Sequence, residues 1–458
     1  MVGFMAGFAW AALAAGGVQA QEADADAGPP GTSGQLIEEP VFMGEAYVYQ
    51  AGVGNPRSIV LIHGIGDDGA RDFSEIIPWL ARDFHVLTFD LPGFGRSSKA
   101  NVLYSPANYA AFVKYVADKY ARRPFILLGH SMGGVAALRY TASYPADVER
   151  LVVVDAPGVL HRLSFTSQFL AHLGMDFLPP ALNLQEKFTN LVRKLLWRAE
   201  RSPLDPEAVL ASAQLRQTVL GADPAKIAGL ALVVENLSKA LPRIGADTLI
   251  IWGRDDRQAP LRTGRLLART IPRARLVVLD KTGHVPMLES PQPFRAALAP
   301  FLRREAPPPA KPEGDRIAAG KHGDVLCERK RKAVFEGEYA TLIIKSCDGA
   351  LIRNARVRAL RIYSSTVTIE DSEIGGGEIG LHAHSATVVM TGGAISGKVA
   401  INVLGSRLDL AGVRVTATEA AVRAQRTSSV VFSVSRIESP RTRGVVHGYY
   451  AVTPRTPL

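Results

Sequence analysis

Short, predominantly apolar runs recur through the first 300 positions. They fall at Ser58 to Ile62, Phe84 to Phe89, Phe125 to Gly129, Leu151 to Asp155, Thr248 to Trp252 and Arg275 to Leu279. A run apolar at every position, rather than at alternate ones, predicts a strand buried on both faces. Ala46 to Gln50 reads as a further strand ahead of them. Between the runs lie helical patterns, at Ala107 to Tyr120, from Val135 to about Tyr144, and at Pro293 to Arg304. Strand–helix alternation of this kind predicts a parallel sheet covered on both faces by helices. Residues 159–242 break the alternation. They carry amphipathic helical patterns, such as Gln185 to Arg201 and Pro206 to Val219, with Pro179-Pro180 and Pro203 between.

The pattern changes after residue 305. Residues 306–316 are a proline-rich linker, for which an extended spacer is expected. Beyond it, four apolar sets recur every 20 to 22 residues: Val367/Ile369/Ile374, Val388/Met390/Ile395, Leu408/Leu410/Val415 and Val430/Phe432/Ile437. A serine precedes each set (Ser365, Ser385, Ser406, Ser429), and an apolar residue precedes each serine (Leu360, Leu381, Ile401, Val422). Short strands repeating at this period predict a parallel β-solenoid, in which each coil stacks its apolar side chains on those of the next. Residues 317–458 therefore resemble right-handed parallel β-helix proteins of the pectin-lyase-like kind. The acidic calcium sites and basic residue of that group find no aligned counterpart here. Asp348, Asp371 and Asp409 lie near turns, His382 and His384 read as solvent-facing, and Glu328 to Lys332 reads as a solvated charge run.

Composition adds three points. Phe4 to Gly17 is apolar, and Val18-Gln19-Ala20 has the small-x-small form of a signal-peptidase site. Residues 1–20 thus read as a signal peptide, although no Lys or Arg precedes the apolar run. Residues 21–34, acidic and then Gly/Pro/Ser-rich, read as a flexible tether. The expected location is periplasmic or secreted, where Cys327 and Cys347 can form one disulfide or remain two buried thiols. The formal net charge is +10, and residues 317–458 hold 19 Lys/Arg against 12 Asp/Glu. A basic surface outside the cytoplasm suits an anionic polysaccharide or cell-envelope surface rather than nucleic acid, or serves solubility alone.

The chemistry centres on Gly129-His130-Ser131-Met132-Gly133, a Gly-x-Ser-x-Gly spacing between a strand and a helix. Such a turn lifts the serine hydroxyl clear of the sheet and sets the next N–H at a helix N-terminus. With His63-Gly64, Asp90 to Ser97, Trp252-Gly253-Arg254-Asp255-Asp256-Arg257-Gln258-Ala259-Pro260 and Gly283-His284, residues 35–305 resemble the α/β-hydrolase fold family. The resemblance implies an α/β-hydrolase sheet with a helical cap at 159–242, followed here by the short all-β solenoid. It further implies Ser131 as nucleophile, His284 as base and Asp256 as the acid that orients it, with Asp155 the alternative acid and Asp255 solvated. The backbone N–H groups of Ile65 and Met132 would form the oxyanion hole, His63 would order its loop, and no metal or organic cofactor is needed. Phe165, Phe169, Leu173, Met175, Phe177 and Leu178 of the cap are candidates to line an acyl pocket.

The expected function is an exported serine hydrolase acting on a small or lipid-like ester or thioester. Two alternatives stay open. One is a carbon–carbon bond hydrolase with the same motifs; the other gives the solenoid the main role, binding or cleaving an anionic polysaccharide. A serine rather than an aspartate at the elbow argues against dehalogenase and epoxide hydrolase relatives.

Overall fold

The structure is a computed structural model, and it describes residues 28–164, 205–304, 320–456 and 458. The expected signal peptide, the Pro-rich linker, the helical pattern at Gln185 to Arg201 and the six acyl-pocket candidates lie outside the described residues.

The first domain is built on an eight-stranded sheet. Its strands are β1 (Ser33–Glu39), β2 (Gly44–Ala51), β3 (Ser58–Ile62), β4 (His85–Phe89), β5 (Phe125–His130), β6 (Val148–Val154), β7 (Asp247–Gly253) and β8 (Ala274–Leu279). Their order is β1-β2-β4-β3-β5-β6-β7-β8. β3 to β8 run parallel, whereas β1 pairs antiparallel with β2 and β2 antiparallel with β4. β1 begins inside the predicted tether and has no apolar run to announce it. Its first four residues are exposed, and its backbone pairing to Tyr47–Gln50 holds it at the sheet edge.

Successive residues of the central strands alternate between two cores. Val60, Ile62, Leu127 and Val153 face one core, which α2 (Pro106–Tyr120), α3 (Met132–Ser143) and α7 (Leu261–Thr270) cover. Ile59, Leu61, Ile126, Leu128 and Val152 face the other, covered by α1 (Ile77–Leu80), α8 (Pro286–Glu289) and α9 (Pro291–Leu302). This double burial is why the strands read as unbroken apolar runs. The described part of the predicted cap holds α4 (Pro206–Ala211), α5 (Ala213–Leu220) and α6 (Pro224–Val234). The single helix predicted at Pro206 to Val219 is two, because Ser212 is extended and its hydroxyl caps the second by accepting from Leu215 N–H at 3.3 Å.

The C-terminal domain is a solenoid of twelve strands, β9 (Lys321–Glu328) to β20 (Arg443–Val452), parallel except that β20 returns antiparallel along β19 (Ser428–Glu438). Its register follows the sequence repeat. Val367, Val388, Leu408 and Val430 stack in one column, and Ile369, Met390, Leu410 and Phe432 in the next. Ile374, Ile395, Val415 and Ile437 form a third column, and Leu360, Leu381, Ile401 and Val422 a fourth. Of the serines, Ser365 and Ser406 tie coils together by accepting from Cys347 and Ala386 N–H, but the next rung is Ser428 rather than Ser429. Cys327 and Cys347 form a disulfide joining the first two coils. His382 is half-buried, not solvent-facing: it sits against Tyr363 and the Asn402 amide.

The two domains pack directly on each other. Ala411 and Val434 of the solenoid join the core on the α7 side of the hydrolase sheet, and Leu266 abuts Gly412. Arg262, Arg265 and Arg269 occupy one face of α7 and pair with Asp409, Glu370 and Asp371. Asp371 and Asp409, read from sequence as turn carboxylates, are thus interface residues.

Candidate active site

Ser131 lies between β5 and α3 with φ 52° and ψ −123°, a conformation few non-glycine residues adopt. The turn holds because the residues two before and two after the serine have no side chains. A Cβ on Gly129 would lie 2.2 Å from the Gly133 carbonyl oxygen, and one on Gly133 2.2 Å from that of Ile62. Strand and helix can approach so closely only with glycine at both places. The Ser131 N–H donates to the Val154 carbonyl at 2.9 Å, fixing the elbow to β6.

His284, in the turn between β8 and α8, brings the separate parts together. Its Nδ1 lies 2.8 Å from Asp256 Oδ2, and its Nε2 lies 2.9 Å from Ser131 Oγ. With the proton on Nδ1, the ring donates to Asp256, and Nε2 is left to accept from the serine hydroxyl. The other Asp256 oxygen accepts from Gln258 and Ala259 N–H at 2.7 and 2.9 Å. Burial alone would raise the Asp256 carboxyl. The hydrogen bond to His284, that ring's charge and the Ala259 N–H outweigh burial and hold it below the ordinary range. Asp255 is exposed, and only its backbone N–H reaches inward, to the Thr282 carbonyl.

Asp155 directly follows β6, beside Asp256, is wholly buried, and accepts from Gly253 N–H at 3.0 Å. Burial, then the charge of Asp256, pushes its carboxyl well above the usual range, whereas Asp256 is held below it and is the carboxylate bonded to His284. The geometry therefore favours Asp256 over Asp155 as the partner of His284.

Several supporting residues were not identified from sequence. The Glu289 carboxylate accepts from the N–H groups on both sides of His284, Gly283 at 2.6 Å and Val285 at 2.9 Å. His130 Nε2 donates to the His284 carbonyl at 2.8 Å, and its Nδ1 faces Asp72 at 3.3 Å. Glu289 lies at the end of α8, five residues after His284, and that spacing is the one local signal; Asp72 and His130 are 58 residues apart. His63 accepts from Leu91 N–H at Nε2, 2.8 Å, so its Nδ1 carries the proton given to the Gly64 carbonyl at 2.6 Å. Burial lowers its pKa, and both nitrogens are engaged, as a loop-ordering residue requires. Gly64 passes so near the serine that a Cβ there would lie 2.9 Å from Ser131 Cβ, which sets the Ile65 loop beside the hydroxyl. The arrangement is a hydroxyl, an imidazole and a carboxylate in relay, able to deliver an alkoxide-like oxygen to an electrophilic carbon.

The comparisons with known proteins run over this same part of the chain. Lipase 1 of Psychrobacter immobilis is 28% identical over 236 residues, covering 51% of this chain and 72% of the lipase. A 2-hydroxy-6-oxononadienedioate/2-hydroxy-6-oxononatrienedioate hydrolase of a Pseudomonas species is 27% identical over 290 residues, covering 58% of this chain and 95% of its own. Among solved structures, a bacterial membrane phospholipase A is 26% identical, covering 60% of this chain and 88% of that one, with a TM-score of 0.43. Residues 57–291 match the model of the α/β hydrolase fold family. That span takes in the elbow, the acid loop and the histidine turn together, and the chain belongs to that family.

Proposed function

We propose that the protein is an exported serine hydrolase that cleaves a carboxylic ester or thioester through an acyl-enzyme. The observation that carries this reading is His284, with Asp256 at one ring nitrogen and Ser131 at the other. In the proposed cycle His284 takes the Ser131 proton as Oγ attacks the carbonyl, then gives it to the leaving alcohol or thiol. Water, deprotonated by the same ring, releases the acid. Asp256 holds the ring in one tautomer and stabilises the imidazolium. Met132 N–H, first in α3, and Ile65 N–H are assigned to the oxyanion. Losing one such donor typically lowers kcat by about 10²–10³-fold.

Similarity to two proteins named as lipases supports an acyl ester as substrate. The apolar N-terminal segment and the Cys327–Cys347 disulfide support export to an oxidising compartment. The test is a panel of nitrophenyl esters of varied chain length with Ser131→Ala as blank. Turnover by the wild type and none by the variant is the expected result. Equal rates, or equal labelling of both by a fluorophosphonate, would refute the reading. The second reading, a carbon–carbon bond hydrolase, draws on the relative matched over 95% of its length. A 2-hydroxy-6-oxononadienedioate in the same panel separates the two.

A further inference from the structure

A cleft of about 600 Å³ opens at the junction of the two domains, away from Ser131. Its charged lining is Arg269 of α7 with Arg356, Asp371, Glu373, Arg414 and Arg436 of the solenoid, two more cations than anions. Four of these belong to one column of outward-facing positions across the coils. In register the column reads Lys321, Glu338, Arg356, Glu373, Ala394, Arg414, Arg436.

The first four positions alternate in sign. Arg356 reaches Glu338 and Glu373 at 3.0 Å each, so that part of the column is neutralised internally. The alternation then stops. Ala394 has no charge, and Arg414 and Arg436 follow as directly paired neighbours. Both are exposed, and neither forms an ion pair among the described residues. The other two arginines of the cleft have carboxylate partners, Arg269 with Asp371 and Arg356 with Glu373. Like charges directly opposite on adjacent strands repel each other. A concave site walled by protein strengthens that repulsion and strengthens equally the attraction for a counter-charge.

We propose that this cleft binds a phosphomonoester-type dianion, held between the guanidinium groups of Arg414 and Arg436. Adjacent strands lie about 4.8 Å apart, so two guanidinium forks on neighbouring rungs can each donate to a different oxygen of one tetrahedral group. A charge of −2 also balances the excess of the lining. The site is independent of the esterase reading, since none of its residues touches Ser131, His284 or Asp256.

The experiment is calorimetric titration of inorganic phosphate into the full chain at slightly alkaline pH. The wild type is compared with an Arg414→Gln/Arg436→Gln variant and with Lys398→Gln, which removes an exposed cation elsewhere on the solenoid. Saturable one-site binding is expected, weakened at least about tenfold in the double variant by the loss of charge-assisted bonds. It should be unaltered in Lys398→Gln, with nitrophenyl ester turnover the same in all three. No saturable binding, equal affinity in the double variant, or an equal loss in Lys398→Gln would overturn the proposal. Two further arms identify the source of the phosphate. Displacement by glycerol phosphate without vesicle binding assigns a soluble phosphomonoester. Binding to phosphatidylcholine vesicles containing phosphatidic acid, lost in the double variant, assigns a lipid headgroup.

Discussion

Arg262 of the hydrolase domain and Asp409 of the solenoid form a two-pronged ion pair, at 2.8 and 3.0 Å, with each side chain less than a tenth exposed. Two further guanidinium donors are used as well. Nε donates to the Thr391 hydroxyl at 2.6 Å, and a terminal nitrogen donates to the Met390 carbonyl at 2.9 Å. Ser164, at the root of the predicted cap, donates to the same Asp409 carboxylate at 2.9 Å. Removing one member of such a pair leaves a buried charge unmatched, which costs about 3–5 kcal/mol. Asp409→Ala should therefore lower the unfolding free energy by that amount in urea titration. Replacing both partners, as Arg262→Met with Asp409→Leu, should recover part of it. A loss below about 0.5 kcal/mol, the range of ordinary surface substitutions, would show that the domains do not depend on this contact.

The neighbouring carboxyls Asp155 and Asp256 should respond differently to the same change. Asp256→Asn takes away the charge that holds the His284 tautomer, and kcat should fall by about 10⁴-fold with KM little altered. Asp155 bonds to the Gly253 N–H rather than to His284, and burial, then the Asp256 charge, raises its carboxyl, so asparagine keeps its shape and leaves the His284 partner in place. Asp155→Asn should keep kcat/KM within about tenfold of wild type. Equal losses in the two variants would mean that the charge serving His284 is shared between them.

Glu289 tests how tightly the histidine turn must be held. Its carboxylate closes the backbone on both sides of His284, and Glu289→Ala frees two N–H groups. A displacement of the ring by about 1 Å can lower a rate about 10²-fold. The variant should lose kcat on that order while KM stays near wild type, and Glu289→Gln, which keeps one acceptor oxygen, should lose less. Unchanged kcat in Glu289→Ala would assign the turn's rigidity to His130 alone.

What was legible in the sequence follows from which forces act locally. Val60, Leu127 and Val152 lie in strands buried on both faces, so burial writes itself as a continuous run. Ser131 needs glycines at fixed offsets for steric reasons, and the solenoid repeats its apolar residues because each coil packs on the next. β1 was missed because its pairing is carried by backbone groups, which leave no side-chain pattern. Ser212 splits a helix whose apolar period continues across it. His130 and Asp72, or Arg262 and Asp409, meet only after the sheet has brought distant segments together, and a lone charged residue gives no sign of its partner.

Acid should weaken the domain junction before it affects the sheet. His161, at the cap root, and His447, on β20, lie with ring centroids 5.4 Å apart, and the His161 N–H donates to the Ser433 hydroxyl. Burial lowers both to about 4; for His161, the His447 and Arg162 charges lower it further, and only Asp409 opposes. His447 Nδ1 is buried without a hydrogen-bond partner among the described residues, so a proton there meets no acceptor. The unfolded chain binds these protons near pH 6.5, the folded chain only near 4. Between those values the unfolded state holds more protons, so stability falls as pH drops through the window, by up to roughly 3 kcal/mol for each ring. Asp256, whose folded pKa is depressed, acts in the same direction but later: its contribution is present above the unfolded value near 4 and is lost only below it. Urea midpoints measured from pH 7.5 to 4.5 should therefore decline, and a His161→Gln/His447→Gln variant should decline less steeply over that range. A parallel decline in the two proteins would place the acid sensitivity elsewhere.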